Sequence, residues 1–328
     1  MTIRIGLIGC GTVTQKAHIP AILKDQNFTI TALCRRDLSK LGILHEQFPH
    51  AKIFSDASEL INSGEADCLL VATDAESHLQ IAQAALDRDL YVLLEKPVSS
   101  SSEDIRKFIL KNKAKINHVM VAFNKRFYPG IAKIDELKIS GELSKLVGGT
   151  MTFLTQQGRR PGMQGVLQNL IHYCDLANWI FGKAVDVHAK FSETLNDSIK
   201  GKTIAATILT ENGCAVNIFY TSSLNWKIPS HERIQILDDS NNHLYVENTD
   251  KAVFSKSNGQ NVIFEESNSI FFRQSPFGYE SQIAAFANLV KGKAKASPNL
   301  NDALEAQVLF EKIFLYDASL SLEERLPS

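Results

Sequence analysis

The stretch that most limits the possible folds lies near the start: Ile3-Arg4-Ile5-Gly6-Leu7-Ile8-Gly9-Cys10-Gly11-Thr12-Val13-Thr14. An apolar, β-branched run ends in Gly-x-Gly, and a segment with Ala17, Ile19, Ala21, Ile22 and Leu23 follows. The pattern reads as strand, tight turn, helix. A helix start offers free backbone N–H groups and a partial positive charge, which suit a pyrophosphate. Gly9 permits the turn, Gly11 lets a phosphate approach the backbone, and Thr12 and Val13 complete the cradle. The third fingerprint position holds Thr14 instead of Gly or Ala. That departure leaves an ordinary strand-to-helix turn as the alternative.

A second strand, Phe28 to Cys34, runs into Arg35-Arg36-Asp37. In a dinucleotide site, a residue about 20 positions past the glycines meets the adenosine ribose, and an acid there favours NAD. Here the acid is missing and two arginines follow the strand. Guanidinium groups pair well with a phosphate dianion. The expectation is NADP(H) in preference, with NAD(H) possible. The alternative is that both arginines are solvated and Asp37 caps a helix from Leu38 to Phe48.

Ala66 to Thr73 is a continuous apolar strand, as parallel sheets require. Thr73 stands at its carboxyl end, and His78 is expected to begin a helix to Arg88. Leu90 to Leu94 is another buried strand and runs straight into Glu95-Lys96-Pro97. A helix from Ser102 to Asn112 and a strand from His118 to Phe123 follow. Strand and helix alternate over the first 125 or so residues, which predicts a doubly wound parallel sheet. Ligands of such sheets bind at the strands' carboxyl ends. Thr73, His78, Glu95, Lys96 and Asn124 are therefore candidate cofactor contacts, with His78 open to a structural role.

The second half changes character. Leu146–Leu154, Val185–Phe191, Thr203–Leu209, Cys214–Tyr220, Arg233–Leu237 and His243–Val246 read as strands, and many alternate apolar with polar. Glu211-Asn212-Gly213 is a good hairpin turn. The alternation predicts an antiparallel sheet with one face on helices. A helix from Gly165 to Phe181 and closing helices from Tyr279 to Lys291 and Asp302 to Leu320 are expected.

Composition narrows the function classes. The chain's 35 basic residues nearly balance its 36 acidic ones, which argues against a general nucleic-acid or membrane-surface binder. No apolar run approaches a membrane span, and no secretory pattern opens the chain. The five cysteines are scattered without metal spacing. Reduced buried thiols in a cytoplasmic protein, with no metal site, are the expectation.

Several stretches agree, in order, with one known family: Gly9-Cys10-Gly11; Val71-Ala72-Thr73 with His78; Tyr91-Val92-Leu93-Leu94-Glu95-Lys96-Pro97; Phe123-Asn124-Lys125-Arg126-Phe127; and Gly165-Val166-Leu167 through His172-Tyr173-Cys174-Asp175-Leu176 to Trp179-Ile180-Phe181-Gly182. On these the chain resembles the Gfo/Idh/MocA family of nicotinamide-dependent oxidoreductases. The resemblance implies a Rossmann domain over 1–123. It also implies an α+β domain over 124–328 with a large, mostly antiparallel sheet, its closing helices able to return to the first domain. It further implies chemistry at a hydroxyl or carbonyl carbon of a sugar or cyclic polyol, and a homodimer or homotetramer formed through the sheet.

Hydride transfer from an alcohol carbon needs a group that takes the hydroxyl proton. A lysine ammonium donates a proton, and a desolvated one cycles. Pro97 biases Lys96 towards extended backbone. The resemblance assigns this work to Lys96, and Glu95 is read as orienting the cofactor ribose or Lys96. On the helix from Gly165, Gln168, His172 and Asp175 fall at i, i+4 and i+7, along one face. His172 is the second catalytic candidate. Arg126, Gln168, Asn169 and Asp175 are candidates for the substrate, with Asp175 able to orient His172. Gln168 stands where many relatives carry Asp, and a carboxamide cannot take a proton at neutral pH. Arg159 and Arg160 are read as meeting an anionic substrate group or as solvated, and Trp226 and Tyr279 as pocket wall or core. Two other functions remain open: a glycosidase of the same superfamily using tightly held NAD, and a catalytically idle cofactor-binding regulator.

Overall fold

The computed structural model describes residues 2–156, 162–196, 199–225, 227–248, 251–256, 259–265 and 278–316. The chain forms two compact units, Met1–Asn124 with Pro276–Leu304, and Lys125–Ser275 with Glu305–Ser328.

The first unit is a six-stranded parallel sheet of β1 (Ile3–Ile8), β2 (Phe28–Cys34), β3 (Lys52–Phe54), β4 (Cys68–Val71), β5 (Tyr91–Leu94) and β6 (Val119–Val121). The spatial order is β3-β2-β1-β4-β5-β6. The order reverses between β1 and β4, so the crevice beyond their carboxyl ends is the natural ligand position. Strand β4 is continuously apolar, and β1 is so apart from Arg4 near its start, because helices cover both faces of a parallel sheet. Every residue of β4 is 0% exposed.

Helices α1 (Ile19–Lys24), α2 (Gly42–Gln47), α3 (Ala57–Asn62), α4 (Ala75–Leu86) and α5 (Ser102–Lys111) make the crossovers. Asp56 and Ser101 cap α3 and α5 through their side-chain oxygens. Asp37 caps too, accepting from the Ser39 amide at 3.2 Å, but the helix expected from Leu38 opens as a 3₁₀ turn before α2. Helix α4 starts at Ala75, so His78 lies inside its first turn instead of opening it. The first crossover also differs from a plain α-helix: Thr14–His18 is a π-helical turn leading into α1. Pro20 sits in the first turn of α1 and offers no N–H to the preceding turn, which favours the wider winding. Helix α8 (Tyr279–Val290) packs on α1, and Phe286 stacks on Phe28 with ring centroids 6.0 Å apart.

The second unit is built on eight strands: β7 (Leu146–Gln156), β8 (Ala184–Asn196), β9 (Ile199–Thr210), β10 (Ala215–Leu224), β11 (His231–Asp238), β12 (His243–Glu247), β13 (Lys251–Lys256) and β14 (Gly259–Glu265). Their order is β14-β13-β12-β11-β7-β10-β9-β8. All neighbours are antiparallel except β7 and β10, which run parallel. The pair β13–β14 is an addition to the strands expected from sequence: its polar Ser and Asn content hides a ladder that continues the β11–β12 meander. Helix α6 (Pro129–Ser140) packs on β12, β13 and β14, and α7 (Gly162–Phe181) on β7, β9 and β10.

Register makes the sheet two-faced. Met151, Ile208, Val216, Ile218, Ile234 and Ile236 face the helices, none more than 2% exposed. On the other face Leu209, Phe219 and Leu237 are 45%, 43% and 48% exposed. Lys138, in the last turn of α6, closes α7: its Nζ donates to the Ile180 carbonyl at 2.6 Å and lies 5.8 Å from the Trp179 ring. Burial pushes this ammonium's pKa down. Helix α9 (Leu300–Phe314) ends short of the expected Leu320; residues 317–320 lie outside the described ones. No helix among the described residues is long and apolar enough to cross a membrane.

Candidate active site

In the first unit the candidate residues gather at the carboxyl ends of β1, β2, β4 and β5. Gly9 has φ +91°, and a Cβ there would fall 2.3 Å from the Ala72 carbonyl oxygen, so only glycine passes between β1 and β4. A Cβ on Gly11 would meet nothing within 4 Å. The space above this turn is thus open, as an approaching phosphate needs. Thr12 and Val13 are exposed beside it. Thr14 accounts for its own departure from the fingerprint: its hydroxyl donates to the Gly9 carbonyl at 2.6 Å and is buried under the turn.

Arg35 leans over the same turn. Its Nη1 donates to the Cys10 carbonyl at 2.8 Å, and the remaining guanidinium N–H groups keep their capacity to donate. Arg36 is exposed. Cys10 and Cys34 are buried thiols, and burial pushes Cys10 up to about 11 and Cys34 to about 12.

Lys96 is half-buried directly beyond β5. Glu95 is buried, with one carboxylate oxygen 2.8 Å from His18 Nε2 and the other accepting from the Lys96 amide at 3.0 Å. Burial opposes its charge, but His18 and then Lys96 outweigh that and hold its pKa below the ordinary range. His78 is fully enclosed: Nδ1 lies 2.9 Å from the Pro97 carbonyl and Nε2 3.1 Å from the Thr73 carbonyl. Burial lowers its pKa against the pull of Pro97 and Glu95. Its ring therefore touches backbone on both sides. The Thr73 hydroxyl bonds the Ser77 hydroxyl at 2.8 Å, and Asn124 is buried past β6. The Tyr279 and His18 rings meet at near right angles, centroids 4.9 Å apart. His18 was invisible to sequence reasoning because its partner, Glu95, is 77 positions away.

In the second unit α7 presents Gln168 and Asn169, both partly exposed, one turn ahead of His172, which is 8% exposed. Asp175, the next turn on, is taken by Arg126: Nε reaches one carboxylate oxygen at 2.9 Å and Nη2 the other at 2.5 Å. The guanidinium also lies 5.5 Å from the Trp179 ring. A neighbouring cluster has no counterpart among the sequence candidates. Lys125 Nζ meets Glu232 at 2.5 Å, Tyr173 donates to the same carboxylate oxygen at 2.8 Å, and the ammonium lies about 5 Å from the Tyr128 and Tyr173 rings. Burial lowers the Lys125 pKa, but Glu232 and Tyr128 overcome it and raise it on balance. Arg159, Arg160 and Trp226 lie outside the described residues. Among the described residues, no group of three or more His, Cys, Asp or Glu could hold a metal ion.

Comparison with known proteins adds three findings. Residues 3–123 match the model of an oxidoreductase family's NAD-binding Rossmann fold, and 158–319 that family's C-terminal alpha/beta domain. The chain is 26% identical over 229 residues to inositol 2-dehydrogenase of Corynebacterium glutamicum (strain R), and 26% over 230 residues to D-apiose dehydrogenase of Rhizobium rhizogenes. In each case the match spans 66% of both chains, just under two thirds. Its fold superposes on a dehydrogenase from Chromobacterium violaceum with TM-score 0.84 at 17% identity, covering 97% of this chain and 96% of the other.

Proposed function

The chain belongs to the Gfo/Idh/MocA family of oxidoreductases, and from that premise we propose that it moves hydride between a nicotinamide cofactor and a hydroxyl or carbonyl carbon of a sugar or cyclic polyol. The observation that carries this reading is a strand end that delivers Lys96 beside the Gly-x-Gly turn's carboxyl-end crevice. The turn itself fits a dinucleotide: Gly9 is sterically forced and the space above Gly11 is open. Gly9, Gly11, Thr12 and Val13 would hold the pyrophosphate, with Thr73, Glu95 and Asn124 towards the nicotinamide end. When bound, the cofactor supplies the hydride acceptor or donor.

Lys96 takes the proton from the substrate hydroxyl, or returns it in the reverse direction. His172 assists at the substrate, and Gln168 and Asn169 offer it amide hydrogen bonds. Arg126 and Asp175 serve the substrate indirectly, by holding α7 in place. The names of the relatives set the first trials: inositol and D-apiose, followed by a panel of aldoses and ketoses. Oxidation of none of them by wild-type protein with either cofactor would overturn the reading.

Arg35 and Arg36 support a preference for NADP(H). A charge-assisted bond to the 2′-phosphate is worth about 1.5–3 kcal/mol, roughly 10- to 100-fold in affinity. The double variant Arg35→Ala/Arg36→Ala should lose that much NADPH affinity and leave NADH affinity nearly unchanged, read by fluorescence titration. Equal losses for both cofactors would refute the preference.

The exposed apolar side chains Leu209, Phe219 and Leu237 share one sheet face. We assign that face to self-association as a homodimer or homotetramer. Analytical ultracentrifugation at micromolar concentration should show no monomer peak; a monomer alone would contradict the assignment.

A further inference from the structure

The backbone beyond β5 leaves its ladder where the proposed chemistry needs it most firmly held. The Glu95 amide still donates to Val71, at 2.9 Å. The next amide, of Lys96, finds the Glu95 carboxylate, and Pro97 has no N–H to give. From Lys96 onward the chain is therefore gripped by side chains.

Two of those side chains are histidines from different elements. His18 is 0% exposed, and Nε2 donates to Glu95, since an ionised carboxylate only accepts. Its Nδ1 meets no polar partner among the described residues, so Glu95 is the ring's polar anchor. A buried carboxylate needs such a donor, and this one leaves the second oxygen aimed at the Lys96 amide. On the other side His78 bridges the Thr73 and Pro97 carbonyls. A neutral ring carries one N–H and so donates to one of these carbonyls at a time; Nδ1 is the nitrogen that stands against Pro97.

Both histidines stand next to residues that border the cofactor turn: His18 shares its helical turn with Thr14, and His78 faces the carbonyl of Thr73, whose amide flanks Gly9. His18 ends the π-helical turn whose first residue, Thr14, donates to the Gly9 carbonyl. His78 lies in the first turn of α4, directly after Thr73. A continuous path thus runs from Gly9 through Thr14, His18 and Glu95 to the Lys96 amide, and π-helical turns recur at functional sites.

We infer that His18 and His78 are positioning residues that clamp Glu95-Lys96-Pro97 from two sides and so fix the lysine relative to the cofactor turn. The inference rests on the role proposed above for Lys96, but its geometric half stands without it. Neither histidine touches the reacting atoms. Each acts through the backbone that aims Lys96, and misplacement of a reacting group by about 1 Å costs on the order of 100-fold in rate.

Four variants of the full chain test the clamp: His18→Ala, His18→Gln, His78→Ala and His78→Asn. The amide of Gln can stand where Nε2 of His18 stands, and that of Asn where Nδ1 of His78 stands. Three quantities are read: hydrogen exchange of the Lys96 amide with β12 as internal control, NADPH affinity by fluorescence, and kcat on the substrate that the wild type oxidises fastest in the panel. The alanine variants should exchange faster at Lys96 and lose about 100-fold in kcat, with NADPH affinity within about twofold of wild type. The Gln and Asn variants should recover most of both losses. Wild-type exchange at Lys96 in both alanine variants overturns the clamp. So does a loss of kcat that neither conservative variant restores. Should an alanine variant fail to fold, Glu95→Gln loosens the same contact and is read by the same exchange. If no polyol is oxidised, or Lys96→Ala keeps full turnover, the proposed reaction fails while the exchange readout still decides the clamp.

Discussion

Lys96→Ala is expected to bind NADPH within about twofold of wild type and to lose about 10²- to 10⁴-fold in turnover, the range of a missing general acid–base group. The separation of the two effects follows from the placement of the residues. The proposed pyrophosphate cradle is the turn after β1, whose shape depends on Gly9, Thr14 and the Ala72 contact. Neither the Gly9–Ala72 approach nor the Thr14 bond to Gly9 involves Lys96. Its amide is held by Glu95, and removing the side chain leaves both the amide and the Pro97 carbonyl in place. Steady-state kinetics on the panel, with cofactor titration on the same preparation, checks both halves. Full turnover in Lys96→Ala would sink the mechanism, and lost cofactor binding would move Lys96 from chemistry to cofactor retention.

Asp175→Ala should lower the unfolding free energy by about 3–5 kcal/mol, the usual cost of breaking a buried ion pair from one side. The two side chains are 7% and 1% exposed, so the Arg126 guanidinium loses a bidentate carboxylate in a place that water barely reaches. The pair is bidentate and spans 49 positions of chain, tying the segment just after β6 to the middle of α7. Replacing both partners at once, as Arg126→Met with Asp175→Leu, should cost much less, because no buried charge is left behind. Urea unfolding of the single and double variants measures the difference. A single variant as stable as wild type would show that the pair is solvated in solution.

This pair also shows how far sequence reading reached. Arg126 and Asp175 were both recognisable as candidates for the substrate; their pairing with each other was not. Helical spacing correctly put Gln168, His172 and Asp175 on one face. Spacing says nothing of what stands opposite that face, and there Arg126 claims both oxygens of Asp175. His78 was legible as a residue at a sheet's carboxyl end, yet its ring turned out to be enclosed by two carbonyls. Thr14 looked like a defect in the fingerprint. Its hydroxyl bond to Gly9 makes it part of the turn. The strands β13 and β14 carried too weak an alternation to be seen, and their place comes from pairing with β12.

The features that the sequence determined by itself are those set by neighbours within one strand, turn or helix. The alternation of elements, the continuous apolar strands of the parallel sheet, the glycine turn and the Glu-Lys-Pro strand end all follow from local sterics, propensity and the need to bury apolar faces. Tertiary structure alone decided which polar side chains meet. His18 finds Glu95 across 77 positions, and Lys125 finds Glu232 across 107. Such partnerships depend on strand order and register, which bring distant residues within hydrogen-bond reach. A buried charge must be paired, but its own sequence neighbourhood does not say by whom.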